Sequence, residues 1–103
     1  MKFSIKNLNE NPVNLMRKAG YYFLEEGKEE LSFVRPLERS GYPRLHIYLE
    51  VDEKNCEMFF NLHLDQKRPI YKGAPAHAGE YNGKIVENEA ERIKEMLKEN
   101  ARN

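Results

Sequence analysis

The sequence predicts an α+β domain: a two-layer sandwich in which two helices cover one face of an antiparallel-rich β-sheet. Three observations lead there. The stretch Arg44–Asp65 alternates apolar and polar residues in two runs joined by a short polar turn, the period of half-buried strands. Two other segments, 12–24 and 84–100, carry apolar residues at helical spacing. The elements run in the order β-α-β-β-β-α, with neither an internal repeat nor a domain boundary among them, so residues 1–103 form one domain.

Taken in order, Met1–Lys6 alternates Phe3 and Ile5 against Lys2, Ser4 and Lys6 and reads as a short strand. Asn11-Pro12 opens a helix, with Asn11 as cap and Pro12 where a missing amide costs nothing. Val13, Met16, Gly20, Phe23 and Leu24 share a helical face, and Gly27 is placed as the terminator. Gly20 then lies inside the helix, where it costs about 1 kcal/mol relative to Ala unless the helix approaches the sheet closely. Tyr21 and Tyr22 are expected at the edge of the core. Leu31–Leu37 reads as a second strand that ends or turns to an edge at Pro36, because proline donates no ladder hydrogen bond.

Within Arg44–Asp65, Leu45, Ile47, Leu49 and Val51 face the core together with Cys56, Met58, Phe60, Leu62 and Leu64. The opposite face carries Arg44, His46, Tyr48, Phe59, Asn61, His63 and Asp65. With Asp52–Asn55 as the turn, Val51 faces Cys56, Tyr48 faces Phe59, His46 faces Asn61 and Arg44 faces His63. Gln66–Gly83 has proline, glycine and no sustained period, so it is expected to be a loop. Lys84–Asn100 gives the clearest helix, with Ile85, Val86, Ala90, Ile93, Met96 and Leu97 as its apolar stripe and its charged residues, Glu87, Glu89 and Glu91 among them, on a solvated face.

Hydrophobic residues make up 40% and charged residues 33% of the chain, a globular rather than disordered composition. Lys+Arg and Asp+Glu are equal at 17 each, which argues against a strong field towards nucleic acid or membrane. The single cysteine, Cys56, has no intramolecular partner and is expected to act as a small buried hydrophobe in a reducing, cytoplasmic setting. No apolar run is long enough to span a bilayer.

The strings FNLHLDQKRP (60–69), YKG (71–73) and AHAGEY (76–81), followed by Gly83 and a Glu/Ala/Arg-rich helix, resemble a small family of uncharacterised bacterial proteins. The resemblance covers most of the chain and is densest between Phe60 and Ile93. That family has no established activity, so the resemblance implies neither a mechanism nor a catalytic residue.

The residues themselves point first to a binding or interaction module. The polar sheet face would form its floor, and Lys67, Arg68, Tyr71, Lys72, His77, Glu80 and Tyr81 its rim. Tyr and Arg are common interface anchors, and a homodimer or another protein would be the partner. Asp65 and Glu80 have a structural alternative, accepting backbone amides that tether the loop. The second reading is a small enzyme. His63 with Asp65, or His77 with Glu80, would serve as base and orienter, with Lys67, Arg68 and Lys72 holding an anionic substrate. No phosphate loop or nucleophile elbow accompanies them. No cofactor is demanded, although His46, His63 and His77, with Asp65 and Glu80, would suit a divalent metal if they converged. The third reading is a stacking platform for single-stranded nucleic acid built on Tyr48 and Phe59 with Arg44, Lys67, Arg68 and Lys72 at its end.

Overall fold

The computed structural model describes residues 1–66 and 78–102, with side chains in the last helix described over 83–98. Among the described residues seven elements follow one another: β1 (Lys2–Lys6), α1 (Pro12–Lys18), β2 (Tyr22–Glu26), β3 (Leu31–Pro36), β4 (Arg44–Asp52), β5 (Glu57–Asp65) and α2 (Ala78–Arg102). The α+β class holds, with one strand more than the sequence predicted. The five strands form one antiparallel sheet in the order β1-β5-β4-β3-β2. Strands β2 to β5 are consecutive hairpin neighbours, and β1 returns to close the sheet on the far side of β5.

The extra strand comes out of the expected first helix. Asn11 caps α1 as the sequence indicates: its Oδ1 accepts from the amides of Val13 at 2.9 Å and Asn14 at 3.2 Å. The helix stops at Lys18, however, and Gly20 is the terminator, with φ +93°. The Gly20 amide donates to the Arg17 carbonyl at 3.0 Å and the Tyr21 amide to the Met16 carbonyl at 2.9 Å, the paired bonds of a Schellman motif. Beyond it, the aromatic run Tyr21-Tyr22-Phe23 favours extended backbone. Gly27, placed as a helix cap by the sequence, sits in the β2–β3 turn and donates to the Glu30 carbonyl at 2.7 Å. Pro36 closes β3 at its end, and Leu37 falls just outside the strand.

Four cross-strand rows build the inner face, one of them Arg35, Leu45 and Leu64. Leu31, Leu49, Phe60 and Phe3 are in register, as are Phe33, Ile47 and Leu62, and then Val51, Met58 and Ile5. Phe3 and Phe60 stack with centroids 4.8 Å apart. Leu15 and Met16 of α1 and Val86, Ala90, Ile93 and Leu97 of α2 complete a single core with these residues. The α2 stripe is thus buried as expected, and its helix extends the expected span at both ends. Residues 78–83 belong to α2 rather than to the expected loop.

The charged face of α2 is not wholly solvated. Glu89 is buried and accepts the Tyr21 hydroxyl at 2.6 Å. Arg92 grips both of its oxygens, at 2.7 and 2.9 Å, and donates to the Ala19 carbonyl at 2.6 Å. Arg35 of β3 lies 3.5 Å from the same carboxylate. The cluster ties the end of α1, the sheet and α2 together. Burial and the Glu89 carboxylate push the Tyr21 hydroxyl pKa well above its ordinary value. Tyr21 is therefore core as expected, whereas Tyr22 is 68% exposed rather than packed.

The central hairpin differs from expectation by two residues of register. Asp52 pairs with Glu57, so the turn is Glu53–Cys56. Asp52 fixes it by accepting from the Asn55 amide at 3.2 Å and side chain at 2.8 Å. Cys56 stands in the turn with φ +52°, half-buried, rather than on the apolar face of β5. The pairs are consequently Arg44–Asp65, His46–His63, Tyr48–Asn61 and Glu50–Phe59. The alternation itself is unchanged, because a shift of two keeps every side chain on its face.

Candidate functional site

The outer face is built by the same strands in the opposite phase. Its rows are Pro36, Arg44 and Asp65; then Tyr22, Val34, His46 and His63; then Ser32, Tyr48, Asn61 and Lys2; then Glu50, Phe59 and Ser4. The seven residues expected on this face from the two central strands all lie on it. Lys67, Arg68, Tyr71, Lys72 and His77 fall outside the described residues. Glu80 and Tyr81 lie in the first turns of α2, where side chains are not described.

A hydrogen-bonded chain runs under this face. The Asp65 carboxylate accepts from Arg44 Nε at 3.1 Å and lies 2.8 Å from His46 Nδ1. His46 Nε2 lies 2.6 Å from Ser32 Oγ. An ionised carboxylate only accepts, so Nδ1 carries the proton of the neutral ring and Nε2 accepts from the Ser32 hydroxyl. Ser32 is 3% and His46 7% exposed, so the chain satisfies groups that water does not reach. Among the described residues no buried side-chain nitrogen or oxygen lacks a partner.

Aromatic rings lie along the chain. Tyr48 packs on His46 with centroids 4.4 Å apart and meets the His63 ring edge-on at 5.7 Å. Arg44 lies 4.7 Å over the Tyr42 ring. His63 is exposed, yet its pKa is lowered, first by partial burial, then by the neighbouring N-terminal ammonium and His46. Beyond Tyr48 the face dips into a depression of about 420 Å³ lined by Lys2, Ser4, Glu30, Tyr48, Glu50, Phe59 and Asn61. Phe59 is 41% exposed there.

Ser32, Lys2, Glu30 and Glu50 belong to this site but were not singled out from the sequence. Ser32 could have been found by extending the alternation of Leu31, Phe33 and Arg35 to the intervening residues. Its meeting with His46 also needs the β3–β4 register, which the turn at 37–43 sets. A larger groove of about 710 Å³ lies between the Leu8–Pro12 connection and the β2–β3 and β4–β5 turns. Its rim is acidic, with Glu26, Glu29, Glu30 and Glu53, and its floor is the end of the apolar core.

The three histidines were candidates for a metal. His46 and His63 are neighbours, and His77 lies outside the described residues. Both His46 ring nitrogens are already engaged by Ser32 and Asp65. Among the described residues no group of three or more His, Cys, Asp or Glu side chains is arranged to hold a metal ion. Nor is any described helix long and apolar enough to cross a membrane. Comparisons of the chain with protein-family models, with curated proteins and with solved structures found no match.

Proposed function

We propose that the protein is a binding module that receives a partner polypeptide on the outer face of its sheet. The observation that carries this reading is Phe59, left 41% exposed in the 420 Å³ depression beside Tyr48. Its strand is paired on both sides, so the platform is rigid and little ordering cost accompanies binding. Glu30 and Glu50, outnumbering Lys2 beside the rings, favour an arginine side chain of the partner over a phosphate backbone. The Ser32–His46–Asp65 chain, buried at Ser32 and His46, acts here as a support that holds Tyr48 in place through its packing on His46. The lone cysteine fits a reducing, cytoplasmic setting.

Selection of displayed peptides against the immobilised protein, followed by titration of the winners, tests the reading. Phe59→Ala is expected to weaken the selected peptides about 30-fold, or about 2 kcal/mol, with an unchanged circular dichroism spectrum. Selected peptides whose affinity ignores Phe59→Ala would refute the site. Single-stranded RNA that binds through Phe59 in preference to peptide would replace the polypeptide by nucleic acid.

One observation favours an enzyme as the second reading: Ser32, His46 and Asp65 have the connectivity of an acyl-transfer triad. Two features weigh against it. The Ser32 hydroxyl is nearly inaccessible, and β3 is an interior strand whose amides are engaged in ladders on both sides rather than aimed at an oxyanion. A fluorophosphonate probe separates the readings. No labelling is expected, and labelling abolished by Ser32→Ala would establish the enzyme instead.

A further inference from the structure

The two edges of the sheet are treated differently by the sequence. The β1 edge, Lys-Phe-Ser-Ile-Lys, carries a lysine at each end, the usual device against pairing with another chain. The β2 edge reads Tyr-Phe-Leu-Glu-Glu, with all five residues exposed, no lysine, and a bulge at Leu24 between the Phe23–Phe33 and Glu25–Ser32 pairs. Tyr22, Phe23 and Leu24, at 68%, 47% and 43% exposure, are three consecutive large apolar side chains on an edge strand. The Phe23 ring makes an edge-on contact with Phe33, 5.7 Å away, and still leaves the residue 47% exposed.

We infer that β2 is a self-association edge, at which two copies of the chain pair β2 with β2 antiparallel about a two-fold axis near Phe23, joining their sheets into one. Charge selects a second copy in this orientation. Residues Glu25–Glu30 carry four carboxylates and one lysine, whereas Arg17 and Lys18 stand just ahead of β2, both exposed. Antiparallel pairing centred on Phe23 brings the acidic end of each copy towards the basic end of the other and sets the apolar Tyr22–Leu24 segments of the two copies side by side. Parallel pairing would align Glu25 and Glu26 with their own copies. An isologous contact of this kind closes at two chains and leaves no further β2 edge to propagate. It also leaves Phe59 and the outer-face depression free, so it is independent of the binding proposed above.

Sedimentation equilibrium of the full chain over micromolar to hundred-micromolar concentrations tests the inference. The expected result is twice the chain mass. Leu24→Lys and Phe23→Lys are each expected to halve it with an unchanged circular dichroism spectrum, while Ser4→Lys on the other edge and Phe59→Ala leave it at the dimer. Leu24→Lys keeps the test decisive where loss of the Phe23–Phe33 contact unfolds the chain. In a Cys56→Ser background, Phe23→Cys is expected to oxidise to an interchain disulfide, because a residue on the axis faces its own copy. Chain mass throughout the concentration range, or a dimer that survives Leu24→Lys, would overturn the inference.

Discussion

Tyr21 and Glu89 sit 68 positions apart and share a buried hydrogen bond of 2.6 Å. Because the folded state holds the Tyr21 proton far more tightly than the unfolded chain, whose phenol titrates near 10, the bond imposes a sign on alkaline stability. The unfolded chain loses this proton first, so the contribution is complete below about pH 10 and declines as pH rises above it. Tyr21→Phe is expected to cost about 1–2 kcal/mol at neutral pH and to flatten the decline above pH 10, measured by denaturant melts across pH. His63 has the opposite sense. Its folded pKa is depressed by partial burial, the N-terminal ammonium and His46, so its contribution is present above the unfolded value near 6.5 and is lost as pH falls through the folded one. Proton NMR of the ring is expected to place the His63 midpoint below that of a free imidazole, and Asn in its place should remove part of the acid sensitivity between those two values.

At the scale of elements, β2 shows where sequence reading gave way. Val13, Met16, Gly20, Phe23 and Leu24 keep helical spacing, so periodicity alone carries the first helix past Gly20. What ends it is backbone chemistry: a glycine at φ +93° closing a Schellman pair, with β-favouring aromatics immediately after. A Cβ on Gly20 would also meet Arg35 Nε at 3.3 Å, so the tolerance of this site is limited twice. Gly20→Ala is therefore expected to destabilise by about 1–2 kcal/mol in a urea melt, the reverse of the gain expected for the same change inside a helix. The central hairpin and α2 were legible because their apolar sets recur over nine and more residues. The hairpin register was not, since an Asx-stabilised turn can be placed two residues either way without disturbing the alternation.

At the scale of the whole molecule, composition and period specify which residues meet on each face, and topology decides which of them touch. Arg44, His46, Tyr48, Phe59, Asn61, His63 and Asp65 could be assigned to one surface from alternation alone. The chain from Arg44 through Asp65 and His46 to Ser32 could not, because it needs β3 beside β4 in one particular register. Lys2 and Ser4 joined the same surface only through the return of β1 to β5, a pairing that no local pattern announces.

That return has a consequence for assembly on the ribosome. The β2–β5 meander can zip up hairpin by hairpin as it emerges, while β1 is made before any strand it will touch and must wait for β5. Until then the rim of β4 stays unpaired, and Phe3 lacks the Phe60 ring it stacks on in the finished sheet. Translation pausing ahead of β5 would thus leave a three-stranded β2–β4 intermediate with two open rims, at the stage when a nascent chain is most exposed to its neighbours.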